Sequence, residues 1–93
     1  MVQKADIEFL DYYRNYCELT IWFRKIVLHS NKKACISVKD IAGEFITERN
    51  RILAFIPAER RMSLRRKLNK IATSYYSRIT NWTRTQKSTT DLV

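Results

Sequence analysis

The sequence predicts an all-α protein: a compact bundle of three helices, four if the second breaks near residue 47, with a long basic third helix and a frayed C-terminal tail. Three observations carry this reading. The 93 residues include one glycine and one proline, too few for the hairpins, bulges and tight turns of a β fold. Hydrophobic residues make up 45% and aromatics 12%, well above the composition of disordered chains. Apolar residues also recur at three- and four-residue steps in three separate stretches, the period of a helix face. The length suits one core, expected over residues 1–83, with 84–93 as a flexible polar tail.

The first helix is expected at 5–29. Phe9, Tyr13, Tyr16, Leu19, Phe23 and Ile26 mark its inward stripe. Asp6, Glu8 and Asp11 occupy its first turns and Arg24, Lys25 and His29 its last, the arrangement the helix dipole favours. Tyr12, Ile21 and Trp22 fall outside the stripe and are read as spare after core packing, available to a protein partner or a second copy.

The second helix has the clearest start. In "ISVKDI", Ser37 is an N-cap, Asp40 stands in the capping-box position, and Ile36 and Ile41 form a hydrophobic staple across the cap. Val38, Ile41, Ala42, Phe45 and Ile46 face inward, and Ile52, Leu53 and Ile56 continue their phase, giving a helix over 38–56. "FITERN" offers an alternative, a turn near residue 47 with Thr47 capping a short further helix. Pro57 ends the segment in either case. Residues 37–56 loosely resemble a helix-turn-helix, with Arg49, Asn50 and Arg51 as base-edge readers. Gly43 lies inside the first helix instead of in the turn, and no turn residues for a wing follow Pro57, so a winged helix is disfavoured.

The third helix is expected at 58–83. Leu64, Leu68, Ile71, Tyr75, Ile79 and Trp82 fall within a narrow arc, leaving Ser63, Arg66, Lys67, Lys70, Ser74, Ser77 and Asn81 beside or opposite it.

Charge points to function. Residues 1–48 hold seven basic and seven acidic side chains, residues 49–93 eleven and two, so the whole net charge of +9 lies in the second half. Such asymmetry implies a polyanionic partner. No acid occurs between Arg60 and Arg84. Arg61 with Arg65, and Arg66 with Lys70, are like-charge pairs one turn apart that each cost roughly a few tenths of a kcal/mol. An anionic ligand would neutralise that repulsion. The expected contacts are Arg49, Arg51, Arg60, Arg61, Arg65, Arg66, Lys67, Lys70 and Arg78, on nucleic acid, with DNA favoured over RNA. Arginine's planar fork suits phosphate oxygens, and the interspersed serines add small donors. A membrane surface is disfavoured, because a broad apolar face flanked by lysines is not evident.

Catalytic and cofactor signals are missing. One glycine cannot make a phosphate loop, His29 is the only histidine, and Cys17 and Cys35 lack metal-ligand spacing. Neither a catalytic site, a metal nor a cofactor is expected. The cysteines read as buried free thiols, and the absence of a signal peptide or long apolar run suggests a cytoplasmic or nucleoid-associated protein. The competing reading is a small accessory subunit of a larger nucleoprotein machine, such as a polymerase, CRISPR effector or nucleoid particle, docking by the aromatic first helix.

Overall fold

The computed structural model describes residues 4–31, 33–34 and 36–91. They form three packed helices, α1 (Lys4–Ser30), α2 (Val38–Leu53) and α3 (Ala58–Asp91). The all-α bundle is as expected; the ends of α2 and α3 and the inward face of α1 differ from expectation, and Ile46 of α2, expected to face inward, is exposed.

α2 begins as its cap dictates: Ser37 is extended and its hydroxyl accepts the Asp40 amide at 3.2 Å. It then runs unbroken through residue 47. Thr47 caps nothing; its hydroxyl donates back to the Gly43 carbonyl at 2.9 Å, the usual way a hydroxyl is satisfied inside a helix. The polar turn of the helix-turn-helix reading is therefore absent. α2 instead stops at Leu53, earlier than 56, where Phe55 and Ile56 donate to carbonyls three residues back and tighten the chain ahead of Pro57.

The chain reverses at 54–57, and α3 returns alongside α2. Arg49 meets Asn69 at 2.9 Å, and Ala42 and Ile46 share a groove with Ala72 and Tyr76. This is an antiparallel helical hairpin. α1 runs parallel to α3, joined by Asp6–Arg60, Glu18–Tyr75 and Lys25–Trp82 contacts along their lengths. The result is a rod of 53 × 18 × 18 Å.

The core draws on all three helices: Tyr13, Cys17 and Ile21; Ile41, Phe45 and Ile52; Leu64, Leu68 and Ile79. This corrects the reading of α1. Ile21, expected to be spare, is only 6% exposed and belongs to the core, whereas Leu19, Phe23 and Ile26 are exposed. α1 carries two apolar stripes, and the aromatic one looks heavier in sequence. The stripe wedged between α2 and α3 is the one that steps by four through Tyr13, Cys17 and Ile21.

α3 extends past its expected end near Thr83 to Asp91, so the expected tail is helical over its described part. No glycine or proline interrupts residues 84–91, and the Thr85 hydroxyl donates to the Asn81 carbonyl at 2.9 Å. Cys17 is a free thiol whose burial pushes its pKa up to about 12. Cys35 lies outside the described residues. No described helix is long and apolar enough to cross a membrane.

Candidate nucleic-acid interface

The rotation of α3 about its own axis is fixed by Leu64, Leu68, Tyr75 and Ile79, all buried against α1 and α2. That rotation turns Ser63, Arg66, Lys70, Ser74, Ser77, Asn81 and Arg84 outward along one side. At ~1.5 Å per residue this ridge is roughly 30 Å long, close to one turn of a DNA duplex.

The nine basic residues expected to contact nucleic acid separate into four settings. Arg66 and Lys70 lie on the ridge itself, with the half-buried Lys67 at its flank. Among the described residues the ion pairs are Arg14–Asp11, Arg24–Glu44, Arg51–Glu48 and Arg60–Asp6, and none involves these three. Their charge is left to solvent or to a ligand.

Arg49, Arg61 and Arg65 form the second setting. They line an open groove of about 730 Å³ between the end of α2 and the start of α3, with Asn50 and Met62 beside them. Two of these guanidinium groups are held by neutral acceptors. Arg49 donates to the side-chain oxygens of Asn69, at 2.9 Å, and Asn50, at 3.1 Å. Arg61 donates to the Ile56 carbonyl at 3.0 Å. Amide oxygens orient these cations without cancelling their charge, which pre-organises them for an anion. Asn50 was legible as a polar reader, but Asn69 was not, since nothing in sequence shows that it would meet Arg49 across the hairpin.

The third setting is structural. Arg60 reaches the largely buried Asp6 at 3.1 Å and pins the first turn of α3 to that of α1. Arg51 pairs at 2.7 Å with Glu48, which is itself buried, and also donates to the Tyr12 hydroxyl. Tyr12 in turn donates to Glu48 at 2.8 Å, and its pKa is raised, first by that bond and then by burial. Arg51 is raised as well, by the same carboxylate. Both arginines already have a carboxylate, so they have less to give a phosphate. Arg78 is the fourth setting, exposed and stacked 5.1 Å over the Tyr75 ring.

Of the residues expected at a partner interface, Tyr12 is engaged at its hydroxyl but exposed at its ring, Trp22 is exposed, and Ile21 is buried. Trp22 has neighbours that the sequence assigned to the core: Leu19, Phe23 and Ile26. No group of three or more metal-ligating side chains comes together among the described residues. Comparison with known protein families, with curated proteins and with solved structures finds no match to this chain.

Proposed function

We propose that this chain is a non-catalytic nucleic-acid-binding protein, with duplex DNA its preferred ligand, that grips phosphates through the basic side of α3. The observation that carries the reading is the unneutralised ridge of Arg66, Lys67 and Lys70, set in a helix with no acid from Arg60 to Arg84. A merely solvated helix gains from mixed signs one turn apart. This one sets like charges there, and a polyanion would offset the repulsion. The groove of Arg49, Arg61 and Arg65 supports the same reading, because two of its three guanidinium groups, those of Arg49 and Arg61, are oriented by neutral acceptors and keep their charge.

The test is a fluorescence-anisotropy titration with a labelled duplex and its single strand over a series of salt concentrations. Neutralising about five to eight phosphates gives a log–log salt slope of roughly −4 to −7 on duplex DNA. Reversing Arg66 and Lys70 to glutamate should weaken binding more than about 30-fold with helicity unchanged, by removing counterion release and adding repulsion. Binding that survives the double reversal would place the ligand elsewhere. Weak binding to both strands at low salt would end the nucleic-acid reading.

A further inference from the structure

The second half of α1 carries an apolar stripe that the fold does not use. Leu19, Trp22, Phe23, Ile26 and Val27 are all exposed, with Trp22 at 54% and Phe23 at 58%. The stripe continues the face that meets α2 earlier in the helix, where Tyr12, Tyr13 and Tyr16 hydrogen-bond to Glu48, Phe45 and Glu44. Both cations in this half of α1 are turned toward other helices. Arg24 is ion-paired with Glu44, and the Lys25 ammonium lies 5.3 Å over the Trp82 ring. The five exposed residues of the stripe are themselves all uncharged.

We infer that a second copy of this chain covers the stripe, the two α1 helices packing antiparallel about a two-fold axis near Phe23. Charge favours this occupant. Residues 1–48 are balanced at seven charges of each sign, so α1 is where two chains of net charge +9 can meet without bringing their basic surfaces together. The cations of α1 nearest the stripe, Arg24 and Lys25, already have partners, so little is offered to a polyanion here.

Area favours it too. At roughly 150–250 Å² per large side chain, about half of it open, the five residues expose on the order of 500 Å². Pairing two copies therefore removes on the order of 1,000 Å² of apolar surface, near the lower bound of specific interfaces before any polar rim is counted. The register is self-complementary: Leu19 and Val27 lie four residues either side of Phe23, so Leu19 of each copy falls opposite Val27 of the other. Antiparallel helix dipoles attract. The Trp22 and Phe23 rings already sit edge-to-face, with centroids 5.4 Å apart and planes at 71°, which gives the contact a preformed aromatic anchor.

Sedimentation velocity of the full chain over a concentration series tests this. The expected result is a monomer–dimer equilibrium in the micromolar range, shifted to monomer by Phe23→Glu with the helical circular dichroism unchanged. Two further variants test the register independently of how Phe23→Glu folds. Leu19→Lys and Val27→Glu should each be monomeric alone and should associate when mixed, because the mixture sets a lysine opposite a glutamate. A wild-type chain that stays monomeric at the highest concentration overturns the inference. So does a dimer that persists in Phe23→Glu, or a mixture that stays monomeric. So does a chain that binds neutral or anionic vesicles as a monomer through Phe23. The outcome does not depend on nucleic acid, since the assay contains none.

Discussion

Tyr16 and Phe23 lie about two turns apart on one side of α1, and they have opposite fates. Tyr16 is half-buried, its ring edge-on to Phe45 at 6.4 Å and its hydroxyl 3.5 Å from the Glu44 carbonyl. Phe23 is exposed and touches only its neighbour Trp22 among the described rings. Both are aromatic and both fit the same helical period. The difference is that α2 sets the Phe45 ring and the Glu44 carbonyl against Tyr16, and among the described residues it sets no ring against Phe23. Hydrophobic periodicity says that a face wants a partner. It does not say that the same chain supplies one.

The largest expected effect contrasts the covered part of the bundle with the open part. Leu68 is fully buried, so Leu68→Ala should cost about 2–5 kcal/mol of unfolding free energy. Phe23→Ala, measured in denaturant at concentrations where the chain is monomeric, should stay within about 0.5 kcal/mol. A large loss at Phe23 under those conditions would show that the open stripe is packed after all.

A second contrast sets the ridge cations against the paired ones. Arg66→Ala should weaken duplex binding by about three- to tenfold with little loss of stability, as one phosphate contact is removed. Arg60→Ala should do the reverse. It leaves the largely buried Asp6 without its partner, at about 1–3 kcal/mol in thermal or chemical unfolding, and changes affinity less. Equal affinity losses for the two would erase the distinction between ridge and structural arginines.

Alkaline pH sharpens the comparison further. Cys17 is raised to about 12 and Tyr13 above its ordinary value, both chiefly by burial in the covered core. Their neutral forms are favoured when folded, so the folded chain holds these protons more tightly than the unfolded one. That contribution to stability is intact below about pH 9, the ordinary thiol range, and is lost as pH rises toward the folded values. Urea midpoints should fall steadily above pH 9. In a Cys35→Ser background, alkylation of Cys17 should follow global unfolding. Rapid alkylation in the native state would contradict the burial of Cys17.

A more modest loss concerns Tyr13, whose hydroxyl donates to the Phe45 carbonyl at 2.8 Å. Tyr13→Phe keeps the ring and removes the bond, for about 1 kcal/mol.

Much of the fold was legible because it rests on local rules. The shortage of glycine and proline, the Ser37 cap with its staple, the Pro57 stop and the stepping of Leu64, Leu68, Tyr75 and Ile79 each act within a few residues. They were enough to set the helical segments and to turn the basic side of α3 outward. The continuity of α2 through Thr47 was not legible, because a threonine can cap a helix or bond back within one, and only the surrounding packing selects between them. The end of α3 was missed because a polar stretch without apolar periodicity looks frayed, although nothing in it breaks a helix.

What the sequence determined by itself, then, was the all-α class, the rough span of the helical segments and the placement of all the excess charge in the second half. Propensity, capping and charge are properties of neighbouring residues. What only the tertiary structure decided was which of two apolar stripes on α1 went inside, which arginines met a carboxylate and which stayed free. Those outcomes depend on distances between residues far apart in the chain, such as Asp6 to Arg60 and Arg49 to Asn69, and no local pattern encodes them.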